Sequence, residues 1–415
     1  MPITGTISLP GDKSISHRSL MFAALTDGEC VVHNISTGED VESTRNCLEK
    51  CGIKSKKDGN TVIITGGTFK TPEKPLNCGN SGTTVRLLSG LLAGQGISAT
   101  YIGDNSLSKR PMGRVIKPLE SMGVNIKSTD GKIPLKQTVP TSIANIDYFL
   151  PIASAQVKSC VLLAALGANV SSVVRENIKT RDHTEIMLKE LGASIKGEME
   201  IEIQPLSNFL STFEMTVPGD PSSAAFFATA AASIPNSHLI IKNVLANPSR
   251  IGFFNMLKRM GGGVEWENIR RECGELVGDV QIWYEPLNGI NITAENIPAV
   301  IDELPILAVL AAQADGPTII EGAEELRVKE CDRIHAICHN MKAMGVKVIE
   351  KRDGFIIDAP NILQNTSIRT YGDHRIAMAF TIAGLNAGNY NVLDDAECIN
   401  ISFPEFNSVL QDIIN

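Results

Sequence analysis

A chain of 415 residues, 43% hydrophobic and 20% charged, has ordinary globular composition and is too long for one compact core, so two or three domains are expected. Its net charge of -8 argues against nucleic acid as a partner, because phosphate-backbone binding needs a basic surface. The nine scattered cysteines contain no Cys-x-x-Cys pair, no apolar run approaches the roughly 18 residues of a membrane span, and no basic-then-apolar leader opens the chain; a cytoplasmic protein without membrane contact, disulfide framework or zinc ribbon is the expectation.

In chain order, Ile3 to Leu9 reads as a first strand, broken by Pro10-Gly11. A pattern then recurs six times: a polar or charged cluster, an apolar stretch, a small-residue break. The clusters are Asp12-Lys-Ser-Ile-Ser-His-Arg18, Asn80-Ser-Gly-Thr-Thr-Val-Arg86, Ser154-Ala-Gln-Val-Lys158, Asp220-Pro-Ser-Ser223, Asp302-Glu-Leu-Pro305 and Asp373-His-Arg375. A second pattern keeps the same beat: two apolar residues spaced three apart, then glycine, ending at Gly52, Gly123, Gly192, Gly261 and Gly345. A sixth copy, Leu410 to Ile413, has Ile414 where the glycine would stand. Repetition of this kind sets the architecture before any single motif does.

Residues 80 to 126 show one repeat in full. Asn80-Ser-Gly-Thr supplies cap-type residues, and Val85 to Leu92 is a helical apolar run stopped by Gly94-Gln-Gly96. Ile97 to Ile102 alternates as a strand does. Pro111 to Met122 reads as a second helix ending on Gly123, and Val124 to Ile126 returns as a strand. Six such α/β units predict two similar domains of three units each. The runs Val161 to Ala165, Ala224 to Ala232 and Leu307 to Ala312 are too apolar for surface helices and belong at domain centres. Pro218-Gly219, after the third unit, is the predicted linker.

The polar clusters put Lys13, Arg18, Arg86, Lys158 and Arg375 near predicted helix starts. A helix N-terminus carries unsatisfied N–H groups and partial positive charge, so cations there are unfavourable unless an anion offsets them. Each alone reads as a solvated surface charge; the set, in register with the repeat, reads as a site for multiply charged anions. Arg110 and Arg181 lie in similar polar contexts, Ser108-Lys-Arg-Pro111 and Lys179-Thr-Arg-Asp-His183. In Arg327-Val-Lys-Glu-Cys-Asp-Arg333 helical spacing puts Lys329 and Arg333 on one face with Glu330 three residues from Arg333, the pattern of a salt-bridged exposed helix. His335 and His339 are four apart, but no third ligand and no His-Glu-x-x-His signature accompanies them, so no metal is expected. P-loop, dinucleotide-binding and Gly-x-Ser-x-Gly signatures are absent.

Taken together, Gly11-Asp-Lys-Ser-Ile-Ser-His-Arg18, Gly79-Asn-Ser-Gly-Thr83 with Arg86, Ser154-Ala-Gln-Val-Lys-Ser159, Leu326 to Arg333 and Tyr371-Gly-Asp-His-Arg375 resemble the 5-enolpyruvylshikimate-3-phosphate synthases, in order and across the whole chain. The resemblance implies an α/β fold of two similar domains, each of three βαβαββ repeats around buried parallel helices, with the active site in the interdomain cleft. The domains would be 12–218, mainly for shikimate 3-phosphate, and 1–11 plus 219–415, mainly for phosphoenolpyruvate and the catalytic carboxylates. The implied reaction joins these two small molecules and releases phosphate, with no cofactor and in a monomer.

By the same resemblance, Lys13, Ser14, Arg18, Ser154, Ala155, Gln156, Arg181, Asp302 and Lys329 contact shikimate 3-phosphate. Lys13, Gly82, Arg86, Arg110, Gln156, Arg333 and Arg375 surround phosphoenolpyruvate, where arginine suits a bidentate grip on carboxylate and phosphate. The chemistry needs a proton donor at the methylene and a base at the attacking hydroxyl. Glu330 is assigned the first role and Asp302 the second, with Lys13 and Lys329 assisting. Ile401, where many members carry lysine, Ala155, where those members have serine, and Arg181-Asp-His-Thr184 resemble the second class of the family. UDP-N-acetylglucosamine enolpyruvyl transferases are the nearest rival, yet the loop Asp104 to Arg110 lacks the cysteine they usually carry there. A non-catalytic anion-binding protein would need the cations but neither Asp302 nor Glu330, and an RNA-processing enzyme on a related scaffold fits the acidic balance poorly.

Overall fold

The computed structural model describes residues 1–414. Each repeat pairs a leading and a trailing helix: α1 (Lys13–Ala23) with α2 (Glu39–Lys50), α3 (Gly82–Gly94) with α4 (Gly113–Ser121), α5 (Ala155–Ala165) with α6 (His183–Glu190), and α7 (Pro221–Ser233) with α8 (Gly252–Arg259). Past a single turn, α9 (Ile297–Val300), come α10 (Leu304–Ala311) with α11 (Arg333–Ala343) and α12 (His374–Asn386) with α13 (Phe406–Ile413).

The polar clusters start the leading helices because their side chains cap them. Asp12 accepts from the Ile15 amide, Ser81 from Thr84, Ser154 from Val157, Asp220 from Ser222 and Asp373 from Arg375. Only α10 differs among these six: Glu303 stands at its N-cap and makes no side-chain cap bond. Five trailing helices stop at the glycines singled out above, which take the left-handed φ of 88° at Gly52, 93° at Gly123, 96° at Gly192, 89° at Gly261 and 83° at Gly345. Ile414, extended, follows α13 instead.

The chain forms two compact units. The first holds Gly11–Val217 and Glu272–Glu275; the second holds Met1–Pro10, Pro218–Arg271 and the chain from Leu276. The short segment 272–275, inside the span expected for the other domain, is the turn of a hairpin, with Cys273 and Gly274 at positive φ. It packs in the first unit, where Glu275 Oε1 lies 2.7 Å from His183 Nδ1.

Five repeats share one sheet plan: an outer strand parallel to its neighbour, then two antiparallel strands. In the second repeat these are Leu76–Asn77, Ala99–Ile102, Lys132–Thr138 and Asn125–Thr129. Among the described residues the sixth repeat keeps only the parallel pair Ser367–Ile368 and Val392–Leu393. Glu214–Thr216, which follows the third repeat in sequence, pairs instead with Glu29–His33 in the sheet of the first. Thr4–Ser8 likewise completes the fourth repeat, in register Thr4 to His238. Parallel pairing needs a long crossover, so the outer strand can come from far along the chain.

The leading helices form the core of each unit. α5, α7, α10 and α12 are buried along nearly their whole length, as their apolar sequences demand. α3 and α5 touch backbone to backbone: a Cβ on Gly90 would overlap the Cys160 carbonyl, so glycine is required there. All nine cysteines are free, and no helix among the described residues is long and apolar enough to cross a membrane.

Candidate active site

In the first unit the side chains singled out by the sequence gather at the starts of α1, α3 and α5. Lys13 Nζ, on the first turn of α1, lies 3.1 Å from Asp40 Oδ2. Arg18, one turn on, is 3% exposed. It donates to Thr184 Oγ1 at 2.8 Å, to Ser159 Oγ at 2.8 Å and to the Ser14 carbonyl at 2.9 Å. Among the described residues no carboxylate lies within ion-pair distance of it. Burial pulls its pKa down to about 10, against the pull of Glu185, Asp12 and Glu275, and the charge of Arg181 adds to the lowering. A buried guanidinium held by dipoles alone gains charge-assisted hydrogen bonds from any carboxylate or phosphate that reaches it.

Gly82, Arg86, Arg110 and Gln156 form a second group. Gly82 is the first residue of α3, and a Cβ on it would stand 3.1 Å from Arg86 Nη1 and 3.4 Å from Arg110 Nη1. Arg86 donates to Gln156 Oε1 and to the Pro111 carbonyl, while Gln156 Nε2 donates to Thr83 Oγ1 at 3.0 Å. Arg110 donates to Asn80 Oδ1 and Ser106 Oγ. Ser154 caps α5 and Ala155 opens it, so two helix N-termini add their partial positive charge to the arginines. Arg181 lies half-buried in the loop before α6.

In the second unit, cations and carboxylates alternate. Arg333, 1% exposed at the start of α11, donates to Asp373 through Nε at 2.8 Å and Nη2 at 3.2 Å. Its Nη2 also lies 2.7 Å from Glu330 Oε2, and Nη1 lies 3.6 Å from Asp302 Oδ1. Asp302 Oδ1 is 3.3 Å from Lys329 Nζ as well. Arg375 donates to the Asp302 carbonyl at 2.9 Å and lies 3.4 Å from Glu303 Oε1. Although burial works against it, Asp373, Glu330 and Asp302 hold Arg333 above its ordinary pKa. Burial acts to raise Asp373, but the charge of Arg333 prevails and keeps that carboxyl below its ordinary value.

With this arrangement in view, the relatives become informative. The family model for EPSP synthase (3-phosphoshikimate 1-carboxyvinyltransferase) matches residues 1–410. The chain belongs to this family. The 3-phosphoshikimate 1-carboxyvinyltransferase of Oceanobacillus iheyensis is 45% identical over 415 residues, covering 99% of this chain and 96% of that one. The enzyme of the same name from Persephonella marina is 45% identical over 421 residues, covering 100% and 98%. Among solved structures, EPSP synthase from Acinetobacter baumannii superposes with a TM-score of 0.89 at 39% identity, covering 99% of this chain and 96% of that one. The enolpyruvyl transferase NikO from Streptomyces tendae reaches a TM-score of 0.77 at 18% identity and shares the fold.

Three readings of the EPSP synthase-like motifs change. Residues 327–333 are not one helix: Glu324–Val328 is a 3-10 turn, and Asp332 caps α11 at Arg333. Glu330 and Arg333 therefore meet across a bend, and Lys329 reaches Asp302 instead of lining a shared helical face. Only Arg327, bonded to Asp332 and Glu350, fits the expected exposed charge network. Next, Lys158 does not await a ligand: it is fully enclosed, 2.9 Å from Glu176 and 2.7 Å from Glu185. Finally, the second-unit cations already have counter-charges; Asp302, Glu303, Glu330 and Asp373 all lie against them. His335 and His339 stack at 6.0 Å beside Tyr371, and no group of three possible metal ligands occurs among the described residues. Thr184 and Ser159, which hold Arg18, and Glu303 lie inside motifs read above but were given no role there; their neighbours in space supply one.

Proposed function

We propose that this chain transfers the enolpyruvyl group of phosphoenolpyruvate to the 5-hydroxyl of shikimate 3-phosphate and releases phosphate. The observation that carries the reading is the convergence of two carboxylates, Asp302 and Glu330, on one buried guanidinium, Arg333. A binding protein needs the cation but not two proton-handling groups held beside it.

On this reading Lys13, Ser14 and Arg18 receive the shikimate carboxylate side, and Ser154, Ala155, Gln156 and Arg181 the 3-phosphate. Arg86, Arg110, Arg333 and Arg375 hold phosphoenolpyruvate, with Gly82 leaving its backbone open to close approach. Glu330 gives its carboxyl proton to the methylene carbon, leaving cationic character on the adjacent carbon. The 5-hydroxyl oxygen bonds to that carbon as its proton passes to Asp302, with Lys13 and Lys329 steadying the charge. In the tetrahedral intermediate the carbon–oxygen bond to phosphate then breaks, Glu330 takes back a methyl proton, the double bond forms again, and the proton left on Asp302 departs with the phosphate. Arg333 opposes the acid form of Glu330; a substrate phosphate competing for Arg333 weakens that opposition. Positioning and charge neutralisation supply most of the acceleration.

The protein acts as a cytoplasmic monomer, and the chemistry needs no metal. Mixing it with both substrates is expected to release phosphate, unchanged by chelator. Binding of both substrates without release would leave an anion-binding protein instead.

A further inference from the structure

One buried carboxylate in the second unit has no part in the scheme above. Glu303 is 2% exposed, directly follows Asp302, and occupies the N-cap of α10. At the other five leading helices a side chain at the start bonds the helix's own amides and so stabilises the helix. Glu303 forgoes this. Its Oε1 accepts from Ser222 Oγ at the start of α7 and lies 3.4 Å from Arg375 Nη1 at the start of α12. Its Oε2 has no hydrogen-bond partner among the described residues. Ser222 in turn accepts from Arg250 Nη2 at 3.1 Å, and that nitrogen also donates to Asp220 Oδ1 at 3.0 Å. One carboxylate thus ties together the starts of the fourth, fifth and sixth repeats. The repeat opening at Asp220 offers no cation from its own start; it supplies the anchor.

We propose that Glu303 is a positioning residue that fixes the Arg375 guanidinium for phosphoenolpyruvate. Arg375 is gripped by a single dipeptide: the carbonyl of Asp302 and the carboxylate of Glu303. The same contact therefore couples the orientation of Arg375 to the backbone that carries Asp302. The oxygen at the reach of the glutamate, rather than its charge, is what the geometry uses. Ser222 and Arg375 both bond to one oxygen, and the other is idle. The inference rests on Arg375 binding phosphoenolpyruvate, as proposed above.

Steady-state kinetics on Glu303 variants test it. Glu303→Ala is expected to raise KM for phosphoenolpyruvate tenfold or more and to change KM for shikimate 3-phosphate less than twofold. Glu303→Gln keeps the accepting oxygen and is expected to recover most of that loss. Glu303→Asp keeps the charge but falls one methylene short, and is expected to resemble alanine. In an Arg375→Lys background, Glu303→Ala is expected to add less than threefold, because its effect runs through the guanidinium. An aspartate variant that rescues while glutamine does not, or a full additive loss in the Arg375→Lys background, overturns the proposal. If Glu303→Ala does not fold, the Gln and Asp pair still decides between reach and charge. A wild-type protein that releases no phosphate refutes the enzymatic reading itself, separately from the role of Glu303.

Discussion

Arg18 in the first unit and Arg333 in the second are equally buried, at 3% and 1% exposure, yet are held in opposite ways. Arg18 bonds two hydroxyls and a carbonyl, and burial pulls its pKa down to about 10. Arg333 lies against three carboxylates, and its pKa rises despite burial. A buried charge needs compensation. Around Arg333 the protein supplies it in direct contact; around Arg18 the direct partners are dipoles, with Glu185, Asp12 and Glu275 acting from beyond ion-pair distance, which leaves an anion something to gain. The first unit is thus built to receive charge, and the second to balance charge while keeping two carboxylates close to one cation.

The largest effect that tests this contrast is catalytic. Glu330→Gln and Asp302→Asn are each expected to lower kcat by about 10²–10⁴, the usual worth of a general acid or base. Binding of shikimate 3-phosphate at the Arg18 group should persist, as measured by calorimetry. Near-normal turnover in Glu330→Gln would remove it as the donor.

Truncating the two arginines should separate the units by stability. Arg333→Met strands Asp373 and is expected to cost about 3–5 kcal/mol in urea unfolding. Arg18→Met breaks charge-assisted bonds to neutral groups, and Thr184 Oγ1 and Ser159 Oγ already lie 2.8 Å apart and can satisfy each other. A loss of about 1.5–3 kcal/mol is expected, together with loss of shikimate 3-phosphate binding. Equal stability losses would erase the contrast.

Acid should find the first unit before the second. His17 is enclosed, and burial, then Lys13 and Arg18, push its pKa well below 6.5. Below pH 6.5 the unfolded chain takes up a proton there that the native chain refuses, so stability falls as pH drops, by about 1.4 kcal/mol per pH unit. His17→Asn is expected to flatten that slope in unfolding curves between pH 6.5 and 5. Asp373 has the opposite native state, ionised and paired, with its pKa lowered. Its contribution is complete above the unfolded value of about 3.9 and is lost only as pH falls below it. An unchanged slope in His17→Asn would mean that the surroundings of Arg18 tolerate a further positive charge.

The smallest effect concerns Gly82. Alanine there crowds Arg86 and Arg110 at 3.1 and 3.4 Å, but both atoms are tips of flexible side chains. A rise of a few-fold in KM for phosphoenolpyruvate is expected, with the fold and shikimate 3-phosphate binding unchanged.

Much of this was legible along the chain, because helix starts and stops are written locally. A cap needs its acceptor within three residues of the amide, and a left-handed stop needs glycine at one position. Asp12, Ser154, Asp220 and Asp373 could therefore be read as helix starts, and Gly52 to Gly345 as helix ends. The bend at 329–332 was missed because its residues suit a helix by spacing; Asp332, a cap-type residue, starts α11 by accepting from the His335 amide, and Arg333 then reaches Asp373, forty residues away.

By itself, the sequence determined the six-fold repeat, the apolar leading helices and the register that puts polar residues at their starts, since each depends on spacing over a few residues. Tertiary structure decided which cations are spoken for. Lys158 and Arg18 sit in the same kind of position, yet Glu176 and Glu185 enclose one and hydroxyls surround the other. It also decided where the outer strands go, as with Glu214–Thr216 in the first repeat's sheet, and that Glu303 holds Arg375 instead of its own helix. Those outcomes depend on charge and packing between residues distant in the chain, and electrostatic partnership is a property of distance in space that spacing along the chain does not encode.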